Sequence, residues 1–294
     1  MTLPNYYSRL SPFREHFSEG FPILCYHKIA APPPRARIKG LYLEPNLFRQ
    51  QIQELAAEGF SFVSPAEQDK ARAIAITFDD GFRDFYTEAL PVLAELGFTA
   101  TMYLPTAFIG ETRRSFSPRI RSTLNSPPST AFACLTWSEI REAQDLGMRF
   151  GSHTVHHPKL YELPWPEIEA ELRDSRAELE HQLSRPVHSF AYPYAFPGGD
   201  REFCRRLADL VVASGYRSCA TTIVGRVMPG DDACTLRRLP MNGADDAALL
   251  LAKLEGAYDW MEPAQQTFKR VKRLLSRGTR RTEVPDSQIT TNSR

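Results

Sequence analysis

The feature that most constrains this chain is a run of strand-forming residues that ends in two adjacent carboxylates. Residues 74–81 read IAITFDDG, and their apolar, partly β-branched start predicts a strand buried on both faces. Successive side chains of a strand point to opposite sides, so Asp79 and Asp80 share one site only if the chain turns there, which Gly81 permits. Two acids at the end of a buried strand suit a metal site, where one binds the ion and the other handles protons. The alternative is a helix N-cap, which needs only one Asp.

Short apolar runs alternate with helical patterns over residues 21–260. The predicted strands cover residues 21–26, 60–63, 74–78, 99–104, 148–152, 187–192, 219–223 and 235–239. The predicted helices begin near residues 45, 83, 136, 166, 200 and 245. This alternation predicts βαβ units and a parallel sheet, and seven or eight such strands close more naturally into a barrel than into an open sheet. Functional groups of such a barrel gather at the carboxyl ends of its strands.

Three segments fall outside this alternation. Residues 1–20 are predicted to form an irregular N-terminal arm, and residues 110–134, with four arginines among Ser, Pro and Asn, a long insertion or lid. Residues 261–294 form a basic C-terminal tail with a partly apolar face. The tail suits peripheral contact with an anionic membrane or a partner, and the alternative is a solvated terminal helix with a disordered end.

Charge and cysteine content exclude some classes of function. A net charge of +1 gives no global attraction to nucleic acid, so no nucleic-acid partner is expected. The five cysteines are scattered without CxxC spacing and are interpreted as reduced thiols. The sequence has no apolar signal core at its start and no run long enough to cross a bilayer. We therefore expect a cytoplasmic protein, with membrane association through the tail left open.

Residues 152–158, with the sequence SHTVHHP, contain three of the seven histidines. His153 and His157 are four positions apart, which one turn of chain brings to the same side. Two imidazoles and one carboxylate make a metal site that leaves coordination positions open for water and substrate. His156 points elsewhere in this arrangement and is not predicted to be a ligand. The alternative is a polar surface loop that contains histidines by chance.

Residues 190–199, with the sequence FAYPYAFPGG, place an aromatic loop after a predicted strand. Aromatic faces of this kind line sugar sites, and an exposed backbone N–H in such a loop could stabilise an oxyanion. Ordinary packing of a loop would explain the same residues.

At these three places together the chain resembles the polysaccharide deacetylase family, the NodB-homology domain of carbohydrate esterase family 4. Residues 77–81 match its first motif, T-F-D-D-G, and residues 153–158 match its second, H-[ST]-x-x-H-P. Residues 192–194 fall where the P-P-Y of its third motif is expected. The resemblance covers residues 21–260 and implies a distorted (β/α)₇ barrel with flexible tails. It also implies a divalent metal, usually zinc, although cobalt, nickel or iron would suit the same ligands.

Carried over by position, the resemblance assigns a role to each motif residue. Asp79 would be the general base that takes a proton from the attacking water. The metal ligands would be Asp80, His153 and His157. The backbone N–H of Tyr194 would help to stabilise the tetrahedral oxyanion, with Tyr192 and Pro193 beside the substrate.

The sequence departs from the family pattern in two places. Ala191 stands where the third motif usually carries an arginine that orients the base, and no histidine follows His188 to serve as the late general acid. Instead His27 ends the first predicted strand, in the sequence LCYHKI. This resembles the branch of bacterial poly-β-1,6-N-acetylglucosamine deacetylases, which implies that His27 is the acid. The alternative is a buried, hydrogen-bonded histidine.

The missing arginine has two candidate replacements, Arg237 and Arg238, chosen by their position on the last predicted strand. With these assignments we expect a metal-dependent hydrolase that removes N-acetyl groups from an N-acetylated glycan or glycoconjugate. The alternatives are a metal-dependent amidohydrolase that acts on a small C–N substrate and a glycan-binding module without catalysis.

Overall fold

Seven parallel strands close into a barrel because the first strand pairs on one side with the second strand of the barrel and on the other side with the last. The structure is a computed structural model that describes residues 20–36, 38–65, 73–116 and 132–261. Its strands are β1 (Ile23–Tyr26), β2 (Lys28–Ile29), β3 (Tyr42–Leu43), β4 (Ser61–Phe62), β5 (Ala73–Phe78), β6 (Thr101–Leu104), β7 (Arg149–Ser152), β8 (Ser189–Ala191), β9 (Ser218–Val224) and β10 (Leu236–Pro240). Around the barrel the order is β1, β5, β6, β7, β8, β9 and β10, which confirms the predicted distorted (β/α)₇ barrel.

The helices pack around this barrel and connect its strands. They are α1 (Pro45–Ala57), α2 (Leu90–Glu95), α3 (Trp137–Asp145), α4 (Trp165–Leu183), α5 (Arg201–Ala213) and α6 (Ala247–Leu254). Local signals set several of their starts: Pro45 occupies the first turn of α1, and Thr136 and Glu139 form a reciprocal capping box at α3. Asp200 and Asp246 cap α5 and α6 through backbone N–H groups of the first turn.

The prediction of a regular helix that begins near residue 83 was wrong. Residues Phe85–Ala89 form a wide π-helical turn, and the α-helix starts only at Leu90. Pro91 has no backbone N–H, so the regular series of i to i−4 hydrogen bonds is interrupted at the end of the π-helical turn. The short parallel pair of β2 and β3 is also absent from the sequence prediction, because two-residue strands carry no periodic signal.

The tails and part of the insertion lie outside the described residues. This applies to residues 1–19, 117–131 and 262–294, so the predicted arm, the centre of the insertion and the basic tail with its membrane contact stay predictions. Within the described ranges, no helix is long and apolar enough to cross a membrane.

A buried aromatic cluster fixes β1 against β5. Tyr26 of β1 stacks on Phe78 of β5 with ring centroids 5.3 Å apart, and Phe48 of α1 packs edge-on against both. The register pairs Tyr26 with Phe78, and the N–H of Asp79 donates to the carbonyl of Tyr26 at 3.0 Å. The next residues along the two strands, His27 and Asp79, therefore leave the sheet side by side.

We predict that Phe48→Ala lowers the free energy of unfolding by about 3–5 kcal/mol, because it removes a fully buried ring and leaves a cavity behind both strand ends. Urea denaturation measures the change. Asn46→Ala, at an exposed position of the same helix, is the control and should stay within about 0.5 kcal/mol of the parent. A Phe48→Ala protein as stable as this control would show that the cluster does not hold the strands together.

Candidate metal centre and active site

The turn that follows β5 brings both carboxylates to one end of the barrel. Asp80 has φ of 73° and Gly81 has φ of 65°, so two consecutive residues adopt the left-handed conformation. The sequence predicted a turn at Gly81, but the structure places Asp80 in it as well, where a non-glycine residue is uncommon. A Cβ on Gly81 would lie 3.0 Å from Leu104 and 3.1 Å from Ile109, so the turn has little room for a side chain.

Asp80, His153 and His157 lie together as predicted, although they come from two separate loops. Oδ1 of Asp80 is 3.2 Å from Nε2 of His157 and 3.6 Å from Nε2 of His153. All three residues are buried, and their candidate ligand atoms lie within 4.8 Å of one another. Ligands at about 2.0–2.2 Å from a tetrahedral zinc ion stand roughly 3.3–3.6 Å apart, so the spacing and donor types fit a divalent metal.

The surroundings keep His153 in the form that a metal ligand requires. Its Nδ1 lies 2.8 Å from the carbonyl of Ala191, which assigns the proton to Nδ1 and leaves the Nε2 lone pair towards Asp80. Burial lowers the pKa of His153 to about 4, so the imidazole is neutral near pH 7. Burial alone would raise the pKa of Asp80, but the hydrogen bond with His157 and the nearby imidazoles of His157, His27 and His153 together lower that pKa, so Asp80 is ionised.

The loop that carries both histidines is held in a strained conformation by its own hydrogen bonds. Thr154 and His157 have φ of 69° and 53°. The N–H of His157 donates to Oγ1 of Thr154 at 3.0 Å, and Oε2 of Glu171, on α4, accepts from the N–H groups of Val155 and His156 at 2.8 and 2.9 Å. These bonds offset the backbone strain of roughly 1–3 kcal/mol per residue and fix the spacing of the two imidazoles.

Asp79 is held by a buried arginine of β10, a strand that is separated from β5 around the barrel only by β1. Nη1 and Nη2 of Arg238 each donate to one oxygen of Asp79 at 2.7 Å, which is a bidentate pair between two residues that are both about 2% exposed. Burial by itself would raise the pKa of Asp79, but the Arg238 guanidinium outweighs it and holds that pKa well below its usual range. The carboxylate therefore stays ionised at neutral pH.

Arg238 is in turn fixed by three contacts within the barrel. Its Nε donates to the carbonyl of Thr221 at 2.9 Å, and its Nη1 also approaches Oγ1 of Thr77 at 3.3 Å. The guanidinium carbon lies 5.8 Å from the centre of the Tyr103 ring. Of the two arginines left open by the sequence, only Arg238 reaches Asp79, since Arg237 points away and pairs with Asp231 at 3.5 Å.

His27 stands on the other side of Asp79. Its Nε2 lies 3.9 Å from Oδ2 of Asp79, and its side chain is 23% exposed, so it is accessible from the mouth of the site. The buried thiol of Cys25 lies 3.7 Å from the same oxygen, and burial raises the pKa of that thiol. Sequence reasoning missed Cys25, because a cysteine inside an apolar strand is ordinary core composition.

The aromatic loop after β8 contacts the metal cluster through one residue. The ring of Tyr194 lies 4.5 Å from the ring of His157, and its backbone has φ of 58°, which makes it the fourth left-handed non-glycine residue at this site. Burial raises the pKa of Tyr194 to about 12, so its hydroxyl is neutral. Tyr192 instead packs inside the fold against Phe196, and Pro193 is buried between the two tyrosines.

His156 lies outside the cluster, as expected. Its ring bonds to Oε1 of Glu171 at 2.7 Å, and its side chain is 59% exposed. The described part of the active-site end thus brings together Asp79, Asp80, His27, His153, His157, Arg238 and Tyr194.

Comparison with known proteins gives this arrangement a context. The family model described as polysaccharide deacetylase matches residues 66–213. The chain is 26% identical over 227 residues to the Bacillus subtilis protein named "Putative polysaccharide deacetylase YxkH", covering 74% of this chain and 70% of that protein.

Two solved structures share the fold over most of the chain. The Streptococcus pyogenes deacetylase PplD, solved in complex with acetate, is 27% identical with a TM-score of 0.63 and matches 80% of this chain and 98% of its own. IcaB from Ammonifex degensii is 23% identical with a TM-score of 0.63 over 81% of this chain and 97% of its own, and supports the fold alone.

We predict that His153→Ala weakens metal binding by more than the roughly 10–100-fold typical of losing an outer-sphere partner, because it removes one of three protein ligands. Elemental analysis after dialysis against buffer with a fixed free zinc concentration measures this. His156→Ala removes an imidazole three positions away that is not in the cluster and should bind zinc like the parent. Equal zinc content in both variants would contradict the assignment of His153.

Proposed function

The chain belongs to the polysaccharide deacetylase family, and on this basis we propose that it is a metal-dependent hydrolase that removes N-acetyl groups from an N-acetylated glycan or glycoconjugate. The observation that carries the proposal is the pairing of two sets of groups at one end of the barrel. Asp80, His153 and His157 form a cluster of candidate metal ligands. Asp79, which forms a bidentate ion pair with Arg238, lies next to this cluster.

The three clustered residues would hold the divalent metal. When bound there, the ion would act as a Lewis acid towards the amide carbonyl and would lower the pKa of water. The donor set of two imidazoles and one carboxylate is accepted by zinc, cobalt, nickel and iron, and zinc is our first choice because both nitrogen and oxygen donors suit it.

Asp79 is proposed to be the general base. Its carboxylate stays ionised because Arg238 donates to both oxygens, and the same two bonds fix its orientation beside the cluster. A base of low pKa drives proton transfer weakly, so Asp79 is suited to a water molecule whose own pKa is lowered. Arg238 thereby takes the positioning role of the arginine that is missing at Ala191.

His27 is proposed to be the general acid. Hydrolysis of the amide requires a proton on the departing sugar nitrogen, and His27 is the partly exposed titratable group facing Asp79 from β1. The backbone N–H of Tyr194, next to His157, is proposed to donate to the oxygen that becomes negative in the transition state. The acetate found with the similar PplD is the acid product that such a reaction releases.

We predict that Asp79→Asn lowers kcat by about 10²–10⁴-fold, because the amide of Asn cannot accept a proton from water. Zinc should stay bound, because residue 79 is not one of the proposed metal ligands. Acetate release from β-1,4-linked and β-1,6-linked N-acetylglucosamine oligomers and from small amides measures turnover, and elemental analysis measures zinc. Release from small amides alone would favour the amidohydrolase, and zinc binding without turnover of any of these would favour a binding module. An Asp79→Asn variant with parental turnover would refute the proposed base.

We predict that Arg238→Gln shifts the acid limb of the kcat/KM profile to higher pH, because burial without the guanidinium raises the pKa of Asp79. Since the folded-state pKa of Asp79 is depressed, the pair stabilises the fold above the unfolded pKa of about 3.9 and this stability is lost as the pH falls through the folded value. Breaking the pair should lower the free energy of unfolding at pH 7 by about 3–5 kcal/mol.

The control for this experiment is Arg237→Gln, which removes a neighbouring arginine that pairs with Asp231 outside the site. It should leave the acid limb in place and change the free energy of unfolding by about 1 kcal/mol or less. Arg238→Lys keeps a charge and serves if Arg238→Gln does not fold. An unshifted acid limb in both Arg238 variants would show that Arg238 does not set the pKa of the base.

A further inference from the structure

We propose that the described ends of the insertion contribute a sugar-binding wall to the active site, formed by the rings of Phe116 and Phe132 and backed by the buried ring of Phe82 from the turn after β5. Its ligand is the neutral ring of the N-acetylhexosamine unit whose amide is cleaved, or of the unit next to it. The inference rests on the proposed function and names a surface that determines specificity for it. We call these three rings the aromatic wall, and residues 110–116 with 132–136 the insertion stem.

The aromatic wall begins on a metal-ligating side chain and runs out to the surface. The ring of Phe116 lies 5.1 Å from the ring of His157 and 5.4 Å from that of Phe82. Phe82 in turn lies 6.3 Å from Phe132, whose side chain is 39% exposed. The ring of Tyr194 also lies 4.5 Å from that of His157, so His157 contacts aromatic rings from two separate loops.

Core packing does not require this arrangement at its outer end. Phe116 and Phe82 could serve only to exclude water from the metal ligands, but Phe132 is one of few large apolar side chains that the described structure leaves exposed. It is also the one among them that is joined by ring contacts to a ligand of the cluster. Phe82 is 2% exposed and supports the other two rings from behind, so the substrate is expected to contact Phe132 and the half-buried Phe116.

The insertion stem holds these rings rigidly. The N–H of Phe116 donates to the carbonyl of Phe132 at 2.8 Å, and the N–H of Cys134 donates to that of Arg114 at 2.9 Å, which makes an antiparallel ladder. Two further backbone bonds join the stem to the end of β5, from Leu135 to Gly81 and from Arg83 to Ala133, each 2.9 Å long.

Side chains lock the same stem onto α3. Arg113 donates to both oxygens of Glu139 at 2.7 and 2.8 Å, and Arg83 adds a third bond at 3.1 Å. A surface that is ordered before the ligand arrives does not lose side-chain freedom on binding, so it binds more tightly than the same rings on a loose loop.

The charges around the aromatic wall favour a neutral ring over a cationic one. The ammonium of Lys28 lies 3.9 Å from the centre of Phe82 and pairs with Asp84 at 2.7 Å, and Glu139 is occupied by Arg113 and Arg83. The described residues of the wall therefore offer no free carboxylate to an ammonium group, and the Lys28 ammonium already lies near two of the rings, since it is also 5.7 Å from the centre of Phe132. The acetylated sugar is expected to bind there, and the deacetylated amine to be released.

Binding of a chitin tetramer, the β-1,4-linked oligomer of N-acetylglucosamine, and of its β-1,6-linked counterpart tests the proposal. Binding is measured by isothermal titration calorimetry on zinc-loaded protein. All variants carry Asp79→Asn, so that the substrate is not turned over during the measurement. Phe132→Ala in this background should weaken binding of whichever tetramer binds by about threefold to tenfold, the range of an aromatic stacking contact. Phe132→Tyr should restore most of the affinity, because it keeps an aromatic face.

Leu146→Ala is the matched control, since it truncates an apolar side chain that is 55% exposed at the far end of α3. It should leave the Kd unchanged. The aromatic wall is refuted if Phe132→Ala binds like this control, if neither tetramer binds to the parent, or if a fully deacetylated glucosamine tetramer binds as tightly as the N-acetylated one.

The same measurements separate this inference from the proposed function. If the parent releases acetate but the Kd is the same with and without the Phe132 ring, the aromatic wall is overturned and the proposed deacetylase activity stands. A Kd that depends on Phe132 in a protein that releases no acetate would support the wall and overturn the deacetylase.

Discussion

The buried ion pair between Arg238 and Asp79 is the interaction on which the active-site end of this barrel depends. Two charges that are almost fully buried meet beside β1, the strand that lies between β10 and β5, with both carboxylate oxygens bonded at 2.7 Å. Such a pair adds little net stability compared with apolar packing, but losing one partner leaves an uncompensated buried charge. The pair joins β10 to the end of β5. It also keeps Asp79 ionised and oriented beside Asp80, the carboxylate that lies with the two histidines of the cluster.

The two adjacent acids acquire different environments although they share one turn of chain. Asp79 faces Arg238, Cys25 and His27, whereas Asp80 faces His153 and His157. The left-handed backbone at Asp80 keeps both carboxylates at one end of the barrel, because an extended chain would send the two side chains to opposite faces. One acid is thereby suited to proton transfer and the other to holding a cation.

Left-handed residues concentrate at this end of the barrel. Among non-glycine residues of the described structure, Asp80, Thr154, His157 and Tyr194 have positive φ, and the other is Ser184 at the end of α4. Asp80 and His157 belong to the cluster, Thr154 to the histidine loop, and Tyr194 contacts His157 from the loop after β8. The strain is sustained by bonds such as those of Thr154 and Glu171, which is typical of sites that must be ordered before the ligand arrives.

The sequence by itself determined the alternation of strands and helices, the capping box at Thr136 and the two loops that carry Asp80 and the histidines. These are short-range properties: periodicity, caps and motif spacing are written within a few residues of one another. It could not choose between Arg237 and Arg238, because β10 is covered on both faces and its pattern does not alternate cleanly. Only the tertiary structure decided that Arg238, 159 residues away from Asp79, meets it, and that the insertion stem brings Phe116 against His157. Such contacts depend on how the barrel closes and in which register, and no local pattern records the closure of a ring whose first and last strands are more than two hundred residues apart.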